Sequence, residues 1–239
     1  MNILSIDTTT KEASVSILGN GNIVTNSISN EVTHSEKLLP LIDTTLKENN
    51  LKLENIDMYA CINGPGSFTG IRIGLSTLKA FGFIDNKKIF SMSSLDLMSY
   101  VAYKKSKYYN EGKDCIIISL IDARNDRVYY TVNSLSKDGE KININNIVKN
   151  SNSNITELFS SLSKNYSNVI FCGDLINKYC DDISKNYSDA FFTEFYPTTS
   201  DLINAYFNIS NPNDYLYDTY TLDANYVRES QAERMLNNE

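Results

Sequence analysis

The chain has a single histidine, His34, among its 239 residues, and no tryptophan. One imidazole excludes every mechanism that needs a histidine pair and every multi-histidine metal site, and a Ser-His-Asp arrangement would have to use His34 itself. Cysteine is sparse too, with four. Cys61, Cys115, Cys172 and Cys180 are scattered, the first three inside apolar strand-like runs, so they read as small buried thiols kept reduced, without zinc-ligand spacing. Positive charge is in deficit, 22 Lys and Arg against 29 Asp and Glu, for a net charge of -7. Nucleic-acid binding relies on a concentrated field of lysine and arginine, so an RNA role would be delegated to partners. No run approaches the ~18 uninterrupted apolar residues of a membrane span. Met1 leads straight into a strand-like run instead of a signal peptide, and the expected location is the cytoplasm.

What is present is pattern over a length that can bury a sizeable core, as one large domain or two modest lobes. Residues 2–7, 12–19 and 22–29 read as three strands joined by short polar turns. The middle one alternates Ala13, Val15 and Ile17 with polar residues, which predicts an antiparallel meander. A helix over 35–49 follows, then a strand over 56–62, a helix over 68–83, a short strand near Ile89 and a helix over 95–105. Strand-helix alternation there implies parallel pairing. The polar, lysine-rich stretch 103–114 is the expected lobe boundary.

After it the pattern begins again. Ile118-Ser119-Leu120-Ile121-Asp122-Ala123-Arg124 leads into Val128, Tyr130 and Val132, echoing Ile3-Leu4-Ser5-Ile6-Asp7-Thr8-Thr9 leading into Val15 and Ile17. Each copy is an apolar strand ending in aspartate, which suggests a duplicated unit. In the second copy, 141–149 is the third strand, 155–164 a helix, 169–172 a strand and 175–185 a helix. The expected domains are a first lobe over 1–106 and a smaller second lobe over 107–217. A tail over about 218–239, a short extended piece and a polar helix, rejoins the first lobe.

The stretch from Asn63 to Gly74 joins a buried strand to a long helix. Two glycines flanking Pro65 allow a tight turn, and Ser67 or Thr69 can cap the helix. Bare amides at such a helix start suit an anion, which makes Gly64, Gly66 and Ser67 candidates for phosphate contact. The competing reading is a connection built for close packing, since the spacing is neither the Walker nor the dinucleotide one. Asp7, followed by Thr8, Thr9 and Thr10, could hold hydrated magnesium and phosphate oxygens, or form an Asx-turn. Asp122 carries the same ambiguity, with Arg124 near enough to pair with it or with an external carboxylate. His34, in Thr33-His34-Ser35-Glu36, reads as a capping or surface residue at a helix entry.

The helices carry more apolar surface than one packing stripe needs. Leu38, Leu39, Leu41, Ile42 and Leu46 form a broad face, with Pro40 expected to kink the first turns. Gly70 and Gly74 flatten the next helix beside Leu75 and Leu78. Burial against the chain's own sheet explains such faces, and so does a helix-on-helix interface with a partner.

With these residues in view, the chain resembles, end to end, the TsaB (YeaZ) family involved in making threonylcarbamoyladenosine in transfer RNA. The marks are Ile6-Asp7-Thr8-Thr9, His34-Ser35-Glu36-Lys37-Leu38-Leu39-Pro40, Gly64 to Gly74 with Lys79, Ile121-Asp122-Ala123-Arg124 with Val128-Tyr129, and Tyr226-Val227-Arg228. The resemblance implies a two-lobed α/β fold of the actin-like and Hsp70-like ATPase type, a duplicated ribonuclease H-like unit with a reduced second lobe. It also implies partners: a catalytic paralogue, TsaD, and an ATPase, TsaE, with a homodimer when neither is present. The interface would be Leu38, Leu41, Ile42, Leu46, Gly70, Gly74, Leu75 and Leu78. The paralogue's His-x-x-x-His metal motif falls on Ser94 and Met98, so no such metal site is expected. The implied role is a non-catalytic scaffold or activator for transfer of a threonylcarbamoyl group to the adenosine beside the anticodon. Transfer RNA would be touched only indirectly, no cofactor would be bound by this chain alone, and ATP or ADP with magnesium could enter the assembled complex.

Two rival readings stand beside it. A stand-alone ATPase or phosphotransferase would use Asp7, Asp122 and the Gly173-Asp174 turn around magnesium and phosphate, although Phe171-Cys172-Gly173-Asp174 offers a single glycine for an adenosine loop. A peptidase is disfavoured by the lone histidine.

Overall fold

The computed structural model describes residues 1–29, 34–162, 166–188 and 190–227, with only the backbone of His34. The first unit opens as a meander. Ile3–Asp7 (β1) pairs antiparallel with Glu12–Gly19 (β2), which pairs antiparallel with Asn22–Ser29 (β3). His34–Glu48 (α1) runs through Pro40 and leads to Met58–Ile62 (β4), which lies parallel to β1. Phe68–Asp85 (α2) then connects to Ile89–Met92 (β5), parallel to β4. Ser67 caps α2 at its start, and Asn86 in the left-handed region stops it. Ser94–Lys105 (α3) and the short Lys107–Glu111 (α4) close the unit.

The second unit repeats the order. Cys115–Asp122 (β6), Arg127–Asp138 (β7) and Lys141–Asn154 (β8) form a meander, followed by Ile155–Ser161 (α5), Val169–Gly173 (β9), Ile176–Ser184 (α6), Phe191–Thr193 (β10) and Thr199–Asn208 (α7). The strand orders are β5-β4-β1-β2-β3 and β10-β9-β6-β7-β8, the first extended at its β5 edge by Leu216–Tyr217 (β11). Matching order and matching parallel and antiparallel pairings are the duplication that the two strand-Asp segments predict. The fold is α/β with two mixed sheets, as the actin-like, ribonuclease H-like expectation requires. Its second half is reduced, α5 and α6 having 7 and 9 residues against 15 and 18 in α1 and α2.

Three apolar cores hold these layers. The outer face of the first sheet is covered by α1 and α2, and that of the second by α5 and α6. Between the sheets lies a shared core in which α3 packs on the second sheet and α7 on the first. Fully buried Phe90, Tyr100, Tyr103, Met98 and Leu202 all belong to it, each large apolar side chain contributing about 1.5–3 kcal/mol by burial. Polar contacts pin α3 to the second sheet. Asp96 accepts from the Asn133 and Asn146 amides at 3.0 and 2.9 Å, and the Ser99 and Ser119 hydroxyls meet at 2.8 Å.

Ser16 of β2 is fully buried under α7, bonded to the Thr199 and Thr25 hydroxyls at 2.6 Å each. The chain meets the first sheet again at α7, which packs on it from Thr199. Residues 218–227 are turn and irregular structure, and the rest of the expected closing helix lies outside the described residues. Its segment straps α2: Leu222 is buried in the outer core, and the Asn225 amide donates to the Asn63 carbonyl at 2.8 Å.

Candidate functional site

The glycine-rich turn lies between the end of β4 and the start of α2, against the Thr8-Thr9 segment that leaves β1. The Ser67 amide donates to the Thr9 carbonyl at 2.7 Å, and the Thr8 hydroxyl donates to the Gly70 carbonyl at 2.6 Å. The Thr9 amide donates to Asp7 Oδ1 at 2.8 Å. A β-carbon on Gly66 would stand 2.4 Å from the Thr9 carbonyl oxygen, and one on Gly74 2.5 Å from Thr8 Oγ1. Gly64 has φ +105° and leaves room for the Ile71 side chain. Of the amides at the start of α2, Gly70 N bonds Ser67 Oγ and Ile71 N bonds the Ser67 carbonyl. Thr8, Thr9, Gly66 and Ser67 are therefore brought together in one close contact between β1 and α2, with Asp7 bonded locally to the Thr9 amide and Gly64 set against Ile71. These distances support the close-packing reading.

Carboxylates from both sheets gather at the strand ends between the lobes. Asp122 Oδ1 accepts the Arg124 amide at 2.8 Å, and Asp174 Oδ1 accepts the Asp122 amide at 3.0 Å. The Tyr196 hydroxyl donates to the other Asp174 oxygen at 2.9 Å, so both oxygens of that carboxylate are engaged. Burial raises Asp174 above the ordinary aspartate value in spite of these two bonds. Burial also raises Tyr196, with added repulsion of its anion by Asp174, Asp7 and Asp122. The Asp174 backbone is aimed by Gly173, at φ +127°, where any β-carbon would stand 1.8 Å from the Leu120 carbonyl oxygen. Among the described residues, no group of three or more His, Cys, Asp or Glu could hold a metal ion. Tyr196 carries no motif in the sequence, and only the tertiary contact reveals it.

The residues expected at a partner interface are placed differently from the expectation. Leu38, Leu41, Ile42, Leu46, Leu75 and Leu78 are all buried, in the core between the helices and the first sheet. Gly70 and Gly74 are buried against Thr8. Helical spacing marks a stripe that must be covered, and here the chain's own sheet covers it. The apolar side chains that α1 and α2 leave most in solvent are others: Leu39 at 55% exposure, Phe83 at 65% and Ile84 at 78%, with Tyr220 of the strap edge-on to Phe83. Near the start of α2, Arg72 lies 3.8 Å over the Phe68 ring and donates through Nε to the Tyr226 hydroxyl at 2.8 Å. His34 begins α1, but its side chain lies outside the described residues.

The chain is 30% identical over 131 residues to the tRNA threonylcarbamoyladenosine biosynthesis protein TsaB of Haemophilus influenzae, covering 55% of this chain and 53% of that protein. It is 27% identical over 235 residues to the TsaB protein of Buchnera aphidicola subsp. Acyrthosiphon pisum, covering 91% and 98%. A family model described as TsaD, tRNA N6-adenosine threonylcarbamoyltransferase, matches residues 22–206. The chain belongs to this family, as one of its TsaB (YeaZ) proteins. It spans about half the length of the first curated TsaB relatives it matches, 53% and 58%. A solved Pseudomonas aeruginosa protein, described as uncharacterized with similarity to peptidase YEAZ, shares the fold with a TM-score of 0.75. That match has 20% identity and covers 95% of this chain and 99% of the other.

In this TsaB chain, Ser94 and Met98 occupy the positions that the resemblance aligns with the paralogue's metal-binding histidines. Ser94 is buried, its hydroxyl donating to the Pro65 carbonyl at 2.8 Å and its amide to the Gly64 carbonyl at 2.8 Å. Met98 is fully buried in the core between the sheets. A hydroxyl already donated and a thioether sealed from solvent do not fit an iron or zinc site.

Proposed function

We propose that the chain is a non-catalytic accessory subunit in the synthesis of threonylcarbamoyladenosine in transfer RNA, working in the cytoplasm by positioning and activating a TsaD-type paralogue. The observation that carries this reading is the state of residues 94 and 98. A family whose model is that of a threonylcarbamoyltransferase meets here a chain whose corresponding side chains are locked into its own core. Further support comes from the inter-lobe carboxylates, since each Asp174 oxygen already accepts a bond, from the Asp122 amide and from the Tyr196 hydroxyl. Such an arrangement favours a structural role over that of a stand-alone ATPase.

The partner surface is proposed on the solvent side of α1 and α2, where Leu39, Phe83 and Ile84 are exposed. The same surface would pair two copies when the paralogue is absent, and TsaE would dock on the assembled pair. No helix among the described residues is long and apolar enough to cross a membrane. The deciding experiment depletes the protein and measures threonylcarbamoyladenosine in total transfer RNA by mass spectrometry. Loss of the nucleoside is expected, and an unchanged level overturns the proposal.

A further inference from the structure

The corner where α3 ends and α4 begins, residues 104–113, holds four lysines, Lys104, Lys105, Lys107 and Lys113, against one carboxylate, Glu111. Cations in the last turn of α3 complement its dipole, which accounts for Lys104 and Lys105 and leaves the others unexplained. The corner is tightly bonded. The Ser106 hydroxyl donates to the Tyr103 carbonyl at 2.7 Å and accepts the Tyr109 amide at 3.3 Å, and the Tyr103 hydroxyl donates to the Lys113 carbonyl at 2.9 Å.

The ammonium groups here are seated on aromatic rings. Lys137 Nζ, brought in from β7, lies 4.2 Å from the centre of the Tyr109 ring, and Lys105 Nζ lies 4.8 Å from that of Phe195. Lys107 Nζ is 5.3 Å from the Tyr108 ring and Lys104 Nζ 5.8 Å from the Tyr100 ring. Tyr100 and Tyr108 are buried in the shared core and Tyr109 and Phe195 pack against it, so the platform under these cations is fixed. Glu111 is occupied by Lys113 at 2.8 Å and feels Lys107 only more weakly. Asp114, Asp138 and Glu140 flank the lysines in sequence. Among the described residues, Lys104, Lys105, Lys107 and Lys137 have no carboxylate oxygen within 4.0 Å of Nζ. Stacking on a ring positions an ammonium electrostatically and leaves N–H donors for an acceptor.

We propose that this surface, Lys104, Lys105, Lys107 and Lys137, contacts the phosphate backbone of RNA. The net charge of -7 does not forbid it, because exposed charges more than about 8 Å apart are largely screened at physiological salt, and a phosphate at this corner meets the local cations. All four are lysines. A lysine is a point charge without the fork by which arginine grips a single carboxylate, so a row of them suits a repeating line of anions, which a nucleic-acid backbone is. The choice of RNA rests on the accessory-subunit reading, and adds a direct contact where the acidic composition suggests an indirect one.

The test titrates a labelled tRNA transcript with the full chain, read by fluorescence anisotropy at stepped salt concentrations. Saturable binding at low salt is expected, with a slope of roughly -3 in log K against log salt for four lysine contacts. Lys105→Gln with Lys107→Gln and Lys137→Gln should weaken it by about tenfold or more and flatten that slope. A control with Lys47→Gln, Lys52→Gln and Lys185→Gln removes the same charge from exposed positions elsewhere and should weaken binding by less than about threefold. Circular dichroism checks that both variants fold. Equal weakening by the two variants, or no saturable binding at low salt, overturns the proposal. Polyglutamate that binds more tightly than tRNA, and is lost in the first variant only, assigns the surface to an acidic protein segment and overturns it too. Depletion and nucleoside measurement read the accessory role and anisotropy reads this surface, so either reading can fail alone.

Discussion

The carbonyl oxygen of Thr8 lies 1.8 Å from where a β-carbon on Gly70 would stand, and the Thr8 hydroxyl reaches the Gly70 carbonyl at 2.6 Å. Backbone thus meets backbone where α2 crosses the end of β1. Gly70→Ala must displace one of them, and a loss of on the order of 3 kcal/mol or more is expected in chemical denaturation. Thr8→Val, which removes one hydrogen bond, should cost about 1 kcal/mol. Equal stability of Gly70→Ala and wild type would show that the helix can slide away.

Substitutions on α1 and α2 should separate folding from association. Leu75 is 6% exposed, so Leu75→Glu places a charge in the outer core and should unfold the chain, at more than about 3 kcal/mol. Leu39→Glu and Ile84→Glu sit in solvent and should leave the Tm within about 2 °C, since surface changes usually stay within ±0.5 kcal/mol. The pair should nevertheless lose co-purification with a TsaD-type paralogue. Retained co-purification by the folded double variant would remove this surface from the proposed interface.

Thiol reactivity should divide three to one. Burial pushes Cys61, Cys115 and Cys172 up to about 12, while Cys180 is half-buried. In native protein at neutral pH a thiol reagent should modify Cys180 first, with the other three reacting only at the rate of unfolding. Rapid modification of two or more would contradict the burial.

Asp174 makes a prediction about pH. Its folded pKa is raised from 3.8, so the folded state binds more protons than the unfolded one just above that value, and stability falls as pH rises through the window. Asp174→Asn removes the titration. Its stability relative to wild type should therefore improve as pH increases above 3.8, read by urea denaturation. A pH-independent difference would show that the hydrogen bonds from Asp122 and Tyr196 cancel the effect of burial.

Much of the fold was legible because each signal was local. The alternation of Ala13, Val15 and Ile17 marked β2, and the glycine turn with Ser67 marked the start of α2. The repeated strand-Asp segments ending at Asp7 and Asp122 marked the two halves. Helix α7 left a usable signal, the capping box in which Thr198 and Asp201 exchange bonds, although its surroundings carried no clear period. The interface residues were misplaced for a physical reason. Leu41, Ile42, Leu75 and Leu78 show that a stripe is apolar, and periodicity alone is silent on whether a sheet or another protein covers it.

By itself, the sequence determined the duplicated strand order, the family, and the substitution of serine and methionine at positions 94 and 98. All of these depend on residue identity and short-range spacing. Only the tertiary structure decided that α3 and α7 exchange sheets to build a shared core, that Tyr196 bonds Asp174, and that Arg124, Arg127 and Lys178 line one pocket. Those relationships join residues from different elements, and the packing that brings them into contact leaves no periodic mark on any one of them.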